Sequence, residues 1–220
     1  MKNKEEILQA ILQQGVLPLF YNADVEVSMQ TIKTLYKAGI RVMEFTNRAE
    51  GALEVYKEVR KQVGAEMPDM FFGAGTIKTL KQAVAFEHAD ADFFVAPNLN
   101  EGVGSLANDQ NMLWIPGCMT PSEINVAQQN DAALIKIFPA NVLGPGFISA
   151  VKEVFPGQLF MPTGGVEIST QNISGWFNAG VAAVGIGSKL ISKEILKNKS
   201  WDELFEKTML VLQLIKDVRK

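Results

Sequence analysis

The segment Ala132-Ala133-Leu134-Ile135-Lys136-Ile137-Phe138-Pro139 is a short apolar run that carries a single charge and stops at a proline. Its length and branched side chains are those of a strand buried on both faces, as in parallel sheets covered by helices. Val42-Met43-Glu44-Phe45-Thr46 has the same form and again holds one charge. Six further runs extend the series: Val16 to Tyr21, Met70 to Gly73, Phe93 to Ala96, Leu113 to Ile115, Leu159 to Met161 and Ala183 to Ile186. With Ala133 to Phe138 and Val42 to Thr46 they make eight strands.

The intervening segments are long enough for helices and have helical periodicity. Ile32, Leu35 and Tyr36 form one apolar stripe, and Ala52, Val55, Tyr56 and Val59 another. Gly39 and Gly64 stand where helix C-caps belong. Leu8, Ile11 and Leu12 predict an additional helix before the first strand, and Trp201, Leu204, Phe205, Met209 and Leu212 an amphipathic helix at the end. Strands joined by helix-length crossovers must pair in parallel. Eight such units without a linker favour a single-domain (β/α)₈ TIM barrel over residues 1–220, with those two helices added. An open doubly wound sheet is the alternative that the pattern leaves.

Composition narrows the function. The chain is 47% hydrophobic and 20% charged, with a formal charge of -3. No overall positive field exists to hold nucleic acid or an anionic membrane. Cys118 is the only cysteine and His88 the only histidine, which excludes a disulfide, a cysteine-rich zinc site and a multi-histidine metal site. The N-terminal Met-Lys-Asn-Lys-Glu-Glu does not read as a secretory signal, and no apolar stretch is long enough to span a bilayer, so a cytoplasmic protein is expected. Cys118 reads as a pocket-wall residue and His88 as a solvated or capping one. Phe71, Phe72, Trp176 and Phe177 read as core, and Lys193 to Lys199 as a solvated loop or helix end.

The two strand charges are the informative exceptions. Alternation places Lys136 with Leu134 and Phe138, and Glu44 with Val42 and Thr46. If both faces point inward, the amine and the carboxylate converge. A buried lysine has its pKa lowered and can offer a neutral amine to a carbonyl carbon. A neighbouring carboxylate can move the protons that imine formation and carbon–carbon cleavage require. A buried ion pair that only ties two strands together is the competing reading.

Six stretches then carry a resemblance: Arg41-Val42-Met43-Glu44-Phe45-Thr46-Asn47-Arg48, Phe72-Gly73-Ala74-Gly75-Thr76, Pro116-Gly117, Lys136-Ile137-Phe138-Pro139-Ala140, Pro162-Thr163-Gly164-Gly165 and Gly185-Ile186-Gly187-Ser188. In this order and spacing the chain resembles the 2-keto-3-deoxy-6-phosphogluconate (KDPG) and 4-hydroxy-2-oxoglutarate (KHG) aldolases, a class I, Schiff-base family. The resemblance implies a barrel assembled as a homotrimer, with no metal or organic cofactor and a small 2-oxo acid as its partner. It implies that Lys136 forms the Schiff base and that Glu44 is the general acid and base. Arg48 and Thr76 would hold the carboxylate end of pyruvate, in a pocket also lined by Pro97. Thr163 would touch the substrate's hydroxyls, and Gly164, Gly165, Gly187 and Ser188 would bind its phosphate.

Each position has a plainer reading as well. Arg48 could form a surface salt bridge with Glu50, Thr76 could cap the next helix, and the glycines could simply allow tight turns. The first strand, Leu17-Pro18-Leu19-Phe20-Tyr21-Asn22, lacks the basic residue that many relatives carry, with Lys189 a possible replacement. Asn141 stands where relatives often have glutamate. The implied reaction is cleavage of KDPG to pyruvate and glyceraldehyde 3-phosphate, with 4-hydroxy-2-oxoglutarate, cleaved to pyruvate and glyoxylate, as a second candidate substrate. A phosphate-binding barrel isomerase or epimerase, with Lys136 purely electrostatic, is the alternative, as is a non-enzymatic sugar-acid binding protein.

Overall fold

A computed structural model describes residues 3–219. Strands and helices alternate along the chain as expected. The strands are β1 (Val16–Phe20), β2 (Val42–Thr46), β3 (Phe71–Gly75), β4 (Phe93–Val95), β5 (Leu113–Ile115), β6 (Gly117–Cys118), β7 (Leu134–Ile137), β8 (Leu159–Pro162) and β9 (Val184–Ile186). The helices are α1 (Lys4–Gln14), α2 (Val25–Lys37), α3 (Ala52–Glu66), α4 (Leu80–Glu87), α5 (Glu101–Asp109), α6 (Pro121–Gln129), α7 (Ala140–Val154), α8 (Thr170–Asn178), α9 (Lys193–Asn198) and α10 (Trp201–Val218).

Every ladder is parallel, so the fold is an α/β fold built on parallel sheet. One sheet runs β5-β4-β3-β2-β1-β9 and the other β6-β7-β8. An isolated parallel bridge, Thr163 to Gly185, joins β8 to β9, and the Ala182 N–H donates to the Phe160 carbonyl at 2.9 Å. Among the described residues nine strands stand where eight were expected. Pro116, which has no N–H to donate, divides the fifth into β5 and β6.

The side chains form two layers of core. Met43, Phe45, Ile135 and Ile137 point outward into a cluster shared with the covering helices. Val42, Leu134, Leu17, Phe93, Leu113 and Met161 point the other way, into a separate cluster between the strands. Ile7 and Ile11 of α1 belong to this inner cluster and are fully buried. The added N-terminal helix therefore plugs one end of the interior with apolar side chains, each contributing about 1.5–3 kcal/mol on burial. Lys136 and Glu44 lie one step further along their strands, beyond that plug.

Of the two cap expectations, one holds and one needs correction. Gly39, at φ 107°, directly follows the C-cap Ala38 and fits the expected stop. Gly64 instead lies inside α3, which continues to Glu66. The helix buries Ala52, Tyr56, Val59 and Val63 on one face, and this packing overrides the weak helix propensity of one glycine. The α10 helix is present as read, burying Leu204, Thr208, Val211 and Ile215. Lys193–Asn198, expected as a solvated loop or helix end, forms a short helix, and His88 is the exposed C-cap of α4. Among the described residues no helix is long and apolar enough to cross a membrane.

Candidate active site

Glu44 and Lys136 are 1% and 5% exposed, deep enough that water hardly reaches either. Strand alternation, read off the two core clusters, turns both toward the space between the strands. Yet they form no ion pair, and neither Glu44 oxygen has a hydrogen-bond partner among the described residues. A structural pair would be expected to close its own contact, because an unpartnered buried carboxylate carries a full desolvation penalty. These two groups instead interact only through their charges, without satisfying each other.

Burial governs their proton affinities. It pushes the Glu44 carboxyl up, opposed by the charges of Lys136 and then Arg48. It pulls the Lys136 amine down, opposed by Glu44 and aided by Arg48. The lysine is thus shifted toward the neutral, nucleophilic form and the carboxyl toward the proton-bearing form, the combination that acid–base work near neutral pH uses. The Lys136 Nζ also lies 5.3 Å from the centre of the Phe138 ring, on the same strand face.

Glycines make room for these groups. A Cβ on Gly75 would fall 1.8 Å from Glu44 Oε1, so the carboxylate lies directly over β3. Gly117, which pairs with Lys136, has no such latitude: a Cβ there would meet the Pro97 carbonyl carbon at 2.4 Å and the Ala96 oxygen at 2.8 Å. Both obstacles are backbone and cannot rotate away. Gly117→Ala is expected to destabilise the fold by about 1–3 kcal/mol, read as a lower urea midpoint. An unchanged midpoint would mean that β6 does not approach Pro97 this closely.

The other sequence-predicted residues fall into two groups. Arg48, Thr163, Gly164, Gly165, Gly187 and Ser188 all line one cavity of about 130 Å³. Arg48 is exposed and makes no ion pair among the described residues, so the salt bridge with Glu50 is not formed. Thr163 is 5% exposed, and its hydroxyl is buried without a partner. Thr76 and Pro97 do not line this cavity; they sit just past the ends of β3 and β4, next to Gly75 and Gly117 respectively. Thr76 is not the helix cap, a role taken by Thr79. Its φ of 60° is a left-handed conformation unusual for a β-branched residue, costing on the order of 1–3 kcal/mol and tending to occur at functional sites.

Sequence reading missed Phe138, Leu19 and Val166 as lining residues. Phe138 carried a signal, since it lies two residues from Lys136 on the same face. Cys118 is 1% exposed, and burial, aided by Glu123, pushes its thiol up to about 12, so it is a wall and not a nucleophile. A larger cavity, about 580 Å³, lies between α1 and α10 and is lined by none of the sequence-predicted site residues.

Comparison with known proteins then decides the family. Residues 7–207 match the family model described as KDPG and KHG aldolase. This chain belongs to that family. It is 32% identical over 209 residues to the 2-dehydro-3-deoxy-phosphogluconate aldolase of Pseudoalteromonas atlantica, covering 93% of this chain and 94% of the relative. It is 30% identical over 207 residues to the KHG/KDPG aldolase of Escherichia coli, with the same coverage. Among solved structures it resembles the KDPG aldolase of Legionella pneumophila with pyruvate captured as a covalent carbinolamine intermediate, at 28% identity and a TM-score of 0.83, covering 92% of this chain and 96% of that one. As a KDPG/KHG aldolase family member the protein is a lyase.

Proposed function

We propose that the chain is a class I aldolase that cleaves KDPG to pyruvate and glyceraldehyde 3-phosphate, with Lys136 as the Schiff-base residue and Glu44 as the proton carrier. 4-Hydroxy-2-oxoglutarate, cleaved to pyruvate and glyoxylate, is the shorter substrate of the same site. The observation that carries this reading is the unpartnered Glu44 carboxylate sharing an apolar interior with an amine whose burial favours its neutral form.

In this reading Arg48 and Thr76 hold the substrate carboxylate, Pro97 lines that end, and the C2 carbonyl is presented to Lys136. Attack of the amine and loss of water give a protonated imine. Glu44 takes the proton of the C4 hydroxyl, the C3–C4 bond breaks, and its electron pair is drawn into the imine as an enamine. Glyceraldehyde 3-phosphate leaves. Protonation at C3 and hydrolysis then free pyruvate and the Lys136 amine. The buried hydroxyl of Thr163 is available for a substrate hydroxyl. The loops at Gly164, Gly165, Gly187 and Ser188 are available for the phosphate.

The strands are read as closing into a single (β/α)₈ barrel over residues 1–220. The β8–β9 bridge and the continuity of β5 with β6 across Pro116 support closure. Glu44 and Lys136 would then lie on opposite walls. A homotrimer without a metal or organic cofactor follows from the family resemblance, and a cytoplasmic location is read from the N-terminal sequence and the lengths of the apolar stretches.

Borohydride reduction in the presence of pyruvate tests the chemistry. A stable pyruvate adduct is expected on Lys136, located by peptide mass spectrometry. Trapping on another lysine, or none under conditions that trap a known lysine aldolase, would sink the proposal.

A further inference from the structure

Two loops close the 130 Å³ cavity, and each carries a charge just past its glycines. Lys189 follows Gly187-Ser188, and Glu167 follows Gly164-Gly165-Val166. Lys189 lines the cavity, and its Nζ lies 2.8 Å from Glu167 Oε1, with the two side chains 57% and 52% exposed. Water screens a pair this exposed, so a stronger anion can displace the carboxylate.

The backbone prepares the same place for an anion. The N–H groups of Gly164, Gly165, Val166, Ser188 and Lys189 have no acceptor among the described residues. The first loop is fixed from α8 by Asn172, whose Oδ1 accepts from the Glu167 N–H at 2.9 Å and whose Nδ2 donates to the Gly165 carbonyl at 3.3 Å. Unpaired N–H groups on two held loops are a site for a tetrahedral anion, which also needs a cation. The first strand offers none at this end. Of the two cations lining the cavity, Arg48 acts electrostatically on both Glu44 and Lys136, which assigns it to the reacting end. Lys189 is held beside the cavity by Glu167 of the neighbouring loop and is left for the far end.

We infer that Lys189 is the specificity-determining cation for the phosphate of the substrate, and that Glu167 is its counter-ion when no phosphate is bound. The assignment rests on the aldolase reading above. A phosphate dianion outcompetes the carboxylate for Lys189 and also takes the free N–H groups. A neutral hydroxyl does neither, so the Lys189–Glu167 pair discriminates by charge.

The experiment measures aldol addition of pyruvate to glyceraldehyde 3-phosphate and to unphosphorylated glyceraldehyde. Lys189→Met is expected to lower the ratio of kcat/KM for the phosphorylated over the plain acceptor by about 10- to 100-fold, the scale of a lost charge-assisted contact. Glu167→Gln is expected to raise that ratio by roughly two- to fivefold, the scale of an exposed ion pair. If both ratios equal that of the unaltered protein while it exchanges the methyl hydrogens of pyruvate with D₂O, the assignment fails and the aldolase reading stands. If the unaltered protein shows no such exchange, the aldolase reading fails and takes this assignment with it.

Discussion

Lys136→Ala is expected to lower pyruvate release from KDPG by at least about 10⁴-fold, the scale on which a covalent mechanism loses its nucleophile. Lys136→Arg is the sharper variant. A guanidinium keeps the positive charge but stays protonated, so it cannot form the imine. If Lys136 only stabilised charge, as in an isomerase, arginine would retain a substantial part of the activity; as a Schiff-base residue it leaves none above the alanine variant. Lys136→Met separates chemistry from folding, because it keeps the length of the side chain and removes a buried polar group. Its thermal midpoint is expected to lie below that of the unaltered protein where Glu44 is ionised, since the carboxylate loses its compensating charge, and to recover as pH falls and Glu44 takes up its proton. A methionine variant that stays folded at low pH yet still releases pyruvate, or an arginine variant that turns over at more than about one-hundredth of the normal rate, would contradict the role given to this residue.

Much of this arrangement could be read from the sequence because it rests on local patterns. Val42–Thr46 and Leu113–Ile115 were bounded as the structure has them, since apolar branched runs between turn residues leave little choice. The charges at Glu44 and Lys136 stood out for the same reason, being single ionisable groups where burial is obligatory. Boundaries failed where tertiary packing overrode propensity. The apolar pattern ends the third strand at Gly73, but it runs to Gly75, because the space over Gly73 and Gly75 is filled by Phe93 and by Glu44. Glycine is a poor strand former in isolation and a required one beneath those side chains. The Lys189–Glu167 pair had no sequence signal, since its partners come from different loops and meet only through the way those loops fold. The left-handed backbone of Thr76 was equally hidden, because nothing in the residue type announces it.

Glu44→Gln is expected to lower kcat by about 10²- to 10⁴-fold, the range for loss of a positioned acid–base group, while KM changes only severalfold because the contact proposed between Arg48 and the carboxylate is left in place. Its pH behaviour distinguishes a proton carrier from a structural residue. The Glu44 charge is the influence that holds the Lys136 amine up against burial and Arg48. With a neutral amide in its place, the amine loses its proton at lower pH, so the pH profile of pyruvate trapping by borohydride is expected to move toward acid. Stability follows with a definite sign. Burial raises the Glu44 carboxyl above its ordinary value of 4.5, so the folded form holds the proton more tightly than the unfolded chain. That stabilisation is complete below the ordinary value and is lost as pH rises through the folded one. Glutamine carries no such dependence. The thermal midpoint of Glu44→Gln is therefore expected to exceed that of the unaltered protein above the folded value, with the difference shrinking as pH falls toward 4.5. A midpoint difference that stays constant with pH, together with an unmoved trapping profile, would show that the carboxylate neither titrates in the folded interior nor acts on the amine.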